Sequence, residues 1–173
     1  ASGGYVTLRL DAAAARDRYA MQAHYVRIAV EANVRALGSL RPPAPPFASK
    51  TPLAAVDRLF AAIVCSAGNQ VLWEAYRKVS GQLDLVRRLE AVLFDDLGAE
   101  ATALYAAYAD DAAPGFGIAL DRYHDRRIGA AGALAALVLS GDQTGPAAPD
   151  ADDARGDQRA SDMSAGTRAQ RRS

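Results

Sequence analysis

Asp57-Arg58-Leu59-Phe60 runs through an apolar stretch into Ser66-Ala67-Gly68-Asn69-Gln70-Val71-Leu72, and a long periodic segment follows. Leu53, Val56, Phe60, Ile63 and Val64 recur at the spacings of three and four that gather side chains on one helix face. Thr51-Pro52 opens that helix, with a capping residue followed by proline at the first helical position. Gly68 stops it, and Asn69 supplies a side-chain oxygen to cap the next helix. There Leu72, Tyr76, Val79, Leu83, Val86, Leu89, Leu93 and Leu97 keep a helical period up to Gly98. Two helices meeting through so short a junction set the fold class: a helical bundle.

The rest of the chain agrees. From Asp11, which can act as an N-cap, Tyr19, Ala23, Val26, Val30, Asn33 or Val34, and Leu37 mark a long amphipathic helix closed by Gly38. Arg41-Pro42-Pro43-Ala44-Pro45-Pro46 cannot be helical, because proline lacks the amide donor and pushes its predecessor out of the α region. Further helices are expected over Glu100 to Tyr108 and from about Ile118 to Leu139. The expected fold is therefore all-α, an antiparallel bundle of about five to six helices occupying residues 10–140. Ahead of it, residues 1–9 contain Ser2-Gly3-Gly4-Tyr5-Val6-Thr7-Leu8, a glycine turn feeding a short β-like segment. Behind it, residues 141–173 lack Leu, Ile, Val, Phe, Tyr and Trp, so a disordered tail is expected.

Composition narrows the function. The 173 residues are 50% hydrophobic and 23% charged, enough for one domain with a sizeable core. A formal net charge of +0 provides no basic field to hold nucleic acid or an anionic membrane. The single cysteine, Cys65, excludes an internal disulfide and reads as a small core residue in a reducing compartment. No apolar run approaches the roughly 20 residues of a membrane span, and the start has no leader pattern. A cytoplasmic protein is expected. Asp95-Asp96 and Asp110-Asp111 are paired carboxylates and His124-Asp125 could supply a base, but no nucleophile motif or phosphate loop accompanies them, so no enzyme is expected.

Several segments, in order, resemble one family. Ser2-Gly3-Gly4-Tyr5-Val6 is similar to the end of a winged helix's wing, and Arg27 with Glu31 resembles a first-helix signature of Arg and Glu four apart. Asp57-Arg58-Leu59-Phe60-Ala61 resembles Asp-x-x-Phe-His, followed at the right distance by Gly68-Asn69. Glu100-Ala101 and Tyr123-His124 resemble the places of two further histidines. Together they resemble the effector-binding domain of GntR-type transcription regulators, of the FadR-C-terminal-domain type. That resemblance implies a homodimer that senses a small carboxylate inside the bundle and reaches DNA only through a winged helix preceding Ala1.

The resemblance also implies a divalent metal, zinc or nickel, held by one Asp and three His. Of these Asp57 and His124 are present, whereas Ala61 and Ala101 stand at the other two positions, so the site is expected to be metal-free or weak. The stretch between Glu31 and Asp57 is also shorter than the family's and carries the proline run. The expected effector-binding residues are Arg27, whose fork matches a carboxylate, with Asp57, Asn69 and His124. The alternative is a degenerate helical dimerisation module whose interior is filled by its own side chains and binds no small molecule.

Overall fold

A computed structural model describes residues 11–37, 42–48, 50–110 and 115–142, all within the unit of residues 1–142. The β-like segment expected at residues 1–9 and the tail from residue 143 onward lie outside the described residues. Five helices follow one another: α1 (Ala12–Leu37), α2 (Pro52–Ser66), α3 (Gln70–Leu93), α4 (Leu97–Ala109) and α5 (Gly115–Asp142). Among the described residues there is no strand, and the all-α bundle is as expected.

Local chemistry accounts for the helix ends. Asp11 Oδ1 accepts from the amide of Ala14 at 2.7 Å, which starts the alanine-rich first turn of α1. Pro52 begins α2, where its missing N–H costs nothing, although the Thr51 side chain makes no capping bond. Gly68 adopts φ +66°, the left-handed conformation that ends α2. Asn69 Oδ1 then accepts from the amide of Leu72 at 3.0 Å and starts α3. The end of α3 differs from expectation. Leu97 and Gly98 belong to α4, because Phe94 turns to extended backbone at φ −122° and tucks its ring under the Arg126 guanidinium, 4.2 Å away. Apolar periodicity carried on across this break because Leu97 is buried from its new helix as well.

α1 packs most extensively on α5, with α3 and α2 on its other sides, while α4 joins α2 to α5. Small side chains, Ala15, Ala23 and Ala29 on α1 and Ala131 and Ala135 on α5, are buried and permit close approach. One apolar cluster gathers Val26, Leu59, Phe60, Ile63, Leu72, Leu104, Leu120 and Tyr123. A second holds Tyr19, Leu83, Val86 and Leu134. Of the two candidates at the turn of α1, Asn33 points inward and donates to the Ile63 carbonyl and Ser66 Oγ, both at 3.0 Å, whereas Val34 is exposed. The proline run, described from Pro42, is not helical and is held against α4: Tyr108 OH donates to the Pro42 carbonyl at 2.7 Å, and Phe47 packs on Tyr105. Cys65 is exposed, not a core residue, because it falls one position past the buried Ile63–Val64 stripe. Among the described residues no helix is long and apolar enough to cross a membrane.

Replacing Asn69 tests the α2–α3 junction. Asn69→Ala is expected to lower stability by about 1 kcal/mol, the usual worth of an N-cap, read as an earlier urea midpoint with an unchanged slope.

Candidate functional site

Two positions that keep the buried period carry charge. On α3 the stripe Leu83, Val86 continues to Glu90, and on α5 Tyr123 is followed by Arg127 and Ala131. Glu90 and Arg127 have no exposed surface, and neither ion could stay there without partners. Arg127 Nε donates to Glu90 Oε2 at 2.9 Å, while Nη1 and Nη2 fork onto the two oxygens of Glu100 at 3.0 and 2.8 Å. Nη1 also donates to the Tyr123 carbonyl at 2.9 Å, and the guanidinium lies 3.4 Å over the Tyr123 ring. Burial opposes the charge of Arg127, but Tyr123, Glu100 and Glu90 outweigh it and hold its pKa above the ordinary arginine value. The second oxygen of Glu90 accepts from Tyr19 OH at 2.7 Å. Burial and the Glu90 charge push the Tyr19 hydroxyl well above its ordinary pKa, so it remains a donor.

Arg87, one turn before Glu90 and also buried, carries this network to the surface. Its Nη2 donates to Tyr123 OH at 3.1 Å, and its Nη1 pairs with Asp57 Oδ1 on α2. Its Nε lies 4.0 Å from Glu90 Oε1, beyond a hydrogen bond, and is buried with no hydrogen-bond partner among the described residues. Between α2 and α3, the least extensively packed of the helix pairs that meet, opens a cleft of about 350 Å³. Asp57, Tyr76, Ser80 and Arg87 line it, with Ala61 and Trp73. Burial pushes the Tyr76 hydroxyl up to about 12, so it is a neutral donor at physiological pH. Ser80 Oγ accepts from Gln22 Nε2 at 3.0 Å. The cleft thus combines aromatic walls with the buried cation of Arg87, the half-exposed carboxylate of Asp57 and two hydroxyls, and Arg77 and Asp84 add a second cation and a second carboxylate on its solvent side.

The residues expected to form the effector and metal sites are divided. Arg27 is on the outside, where its Nη2 donates to Asp121 Oδ1 at 2.6 Å, because its position on α1 faces α5's solvent edge. Asn69 is exposed and spends its oxygen on the α3 cap. Ala61 packs against the apolar cluster that contains Ala101 and Phe60, and the His124 ring stacks on Phe60 at 5.4 Å. Asp57 shares the α2–α3 cleft with Ala61 and is linked to Tyr123 through Arg87. His24 is exposed beside Tyr25 and walls no interior space. Of the acidic pairs, Asp96 is taken by Arg126 at 2.5 Å, Asp95 and Asp125 face solvent, and Asp111 lies outside the described residues.

His124 is buried and neutral. Nδ1 lies 2.9 Å from the Leu120 carbonyl and is therefore the protonated nitrogen, leaving Nε2 with a lone pair and no partner among the described residues. Burial drives its pKa down to about 3, and Arg127 and Arg87 act in the same direction. For a divalent ion this donor set is a poor fit. Asp57 is already engaged by a guanidinium, the imidazole sits behind Phe60, and among the described residues no three His, Cys, Asp or Glu side chains group together.

Arg87, Glu90 and Arg127 escape the sequence reading, in which Tyr19 is a stripe residue of the first helix and Glu100 a neighbour of Ala101 without a role of its own. The signal was present: Glu90 and Arg127 stand where the apolar period calls for a core residue, and a charge in such a place demands a buried partner. Comparison with family models, with curated proteins and with solved structures found no match to this chain.

Two measurements check this geometry. Glu90→Ala strands Arg127 in the core and is expected to cost about 3–5 kcal/mol, whereas Arg35→Ala, which loses only an exposed bridge to Glu31, leaves the urea midpoint where it was. As pH falls, the unfolded chain takes a proton on His124 near 6.5 and the folded chain only near 3, so folding loses stability across that window. The His124→Gln chain should lack this component. Its stability relative to the native chain should rise toward acid by up to about 1.4 kcal/mol per pH unit, followed by urea titrations at several pH values.

Proposed function

We propose that this chain is the ligand-sensing domain of a GntR-type transcription regulator, with Arg87 at the floor of the α2–α3 cleft receiving the carboxylate of a small organic acid. The observation that carries the reading is the place of Arg87: a buried guanidinium, its Nη1 on Asp57, lining a cleft of about 350 Å³, with an Nε that makes no hydrogen bond and has only the distant Glu90 carboxylate beside it. Concave, largely apolar spaces with a few polar groups are how bundles bind small molecules. Arg87 takes the role first expected of Arg27, which Asp121 neutralises outside the bundle. Asp57 is the internal anion that the ligand carboxylate displaces, and Tyr76 and Ser80 are placed for the ligand's polar groups. Binding would draw Arg87 from Asp57 and loosen a charged tie between α2 and α3. That bias between two states of the bundle would be read by a winged helix preceding this chain, in a cytoplasmic dimer with no resident metal and no catalytic role of its own.

A second reading has its own observation. The interior expected to enclose a ligand chamber is filled by Arg87, Arg127 and their partners, as in a helical interaction module that binds no small molecule.

Isothermal titration with a panel of small mono-, di- and hydroxycarboxylates separates the two. At least one should bind the native chain, and Asp57→Asn, which removes the competing anion, should tighten that binding by about tenfold. Silence from both proteins across the panel overturns the sensor in favour of the interaction module.

A further inference from the structure

We infer that α3 is the surface through which two copies of this chain associate, crossing antiparallel with Gly81 at the two-fold axis. The starting observation is the face of α3 turned away from the core. Val71, Leu85 and Val92 are 78%, 55% and 66% exposed, and with Lys78 they follow one another at heptad spacing along a single line of the helix. Three apolar side chains in one row on the solvent side of a surface helix are more than scattered exposure requires.

The middle of that face is Gly81. It is exposed, and a Cβ built there meets nothing within 4 Å, as is also true of Gly129 and Gly132 within α5, so among the described residues nothing requires glycine at 81. Glycine in a helix interior costs about 1 kcal/mol relative to alanine. A position that bears that cost in the centre of a 24-residue helix, without an internal reason, is where another backbone can come close.

Charge decides which backbone. A two-fold axis at Gly81 sets each residue before it against one equally far after it on the partner. Glu74 then meets Arg88 of the second copy, seven residues out on either side. Arg77 meets Asp84 of the second copy within one helical rise, about 1.5 Å. These two also share a flank of the helix, since both line the α2–α3 cleft. On the opposite flank the stem of Lys78 covers Leu85, and Val71 meets Val92. Every pairing occurs twice by symmetry. Opposite charges near the centre set the register, and apolar ends supply the burial. A parallel arrangement would set Glu74 against Glu74 and Arg88 against Arg88, so the charge pattern selects the antiparallel one.

This inference extends the sensor reading, which gives the dimer its purpose, yet its test needs no ligand. The full chain is measured by light scattering and sedimentation equilibrium with the cleft empty. The native protein is expected at twice the 18.2 kDa chain mass. Glu74→Arg and Arg88→Glu, each alone, create like-charge contacts twice over and should raise the dimer dissociation constant by about tenfold or more. The double variant Glu74→Arg/Arg88→Glu restores both pairs and should return it to near the native value. Gly81→Gln provides an independent check: it should raise the urea midpoint of the monomer while weakening association, a combination that a folding defect cannot produce. A monomeric native chain overturns the proposal, as does a dimer indifferent to the single reversals and to Gly81→Gln. A monomer that nevertheless binds a carboxylate would remove this interface and leave the sensor reading standing.

Discussion

The pairing of Arg127 with Glu90, two opposite charges with no exposed surface, is the constraint on which the bundle turns. An ion pair so placed is not a reserve of stability. Removing each ion from water costs several kcal/mol, and well-packed apolar side chains in the same volume would serve as well or better. Its contribution is geometric. The guanidinium offers a planar fork, and here that fork is satisfied at once by Glu90 on α3, Glu100 on α4 and the backbone of its own helix. Tyr19 brings in α1 through Glu90, and Arg87 brings in α2 through Asp57. One network therefore touches all five helices. A rotation or slide of α5 that an apolar core would tolerate would strand a charge in this one.

The network also explains why the cleft lies where it does. Apolar packing forms two clusters, one around Phe60 and Tyr123, the other around Tyr19 and Leu83, and the charged groups link them. Described members of α2 belong only to the first cluster, so beyond it α2 has nothing apolar to offer α3. At that level the two helices are tied by Arg87 and Asp57 instead of by packing. A long polar bridge spans a wider gap than interdigitating side chains, and the α2–α3 cleft is that gap. His124 shows the same boundary from the apolar side: held between Phe60 and Tyr123, it stays neutral because burial, with the nearby arginines, disfavours its charged form.

What could be read in the sequence followed from chemistry acting over a few residues. Asp11, Gly68 and Asn69 set helix ends through their own side chain or backbone, and the apolar period identified the stripes on α2 and α3. The α3–α4 break could not be read this way, since Phe94 leaves the helix to meet arginines from α5, more than thirty residues ahead. The site was legible only in part. Asp57 does face a cleft, but Arg27 and Asn69 were judged by residue type and relative position, and neither discloses that Asp121 or a helix cap has already claimed the side chain. Glu90 and Arg127 show the converse. Treating every charge in a helical segment as surface hides the two that the period places inside, and these organise the interior.

Cleft and outer face are not independent regions of α3. Arg77, Gly81 and Asp84 line the cleft from the solvent side, and the same residues lie at the centre of the proposed crossing. A second copy seated there would engage Arg77 and Asp84 across the interface and roof part of the cleft mouth. An occupant of the cleft would in turn change the field in which those two charges pair. Linkage makes any such coupling reciprocal: if association alters ligand affinity by some factor, the ligand alters association by the same factor. The sharing of three residues between the two surfaces gives that coupling a physical route through a single turn of helix, with no need for a displacement relayed through the core.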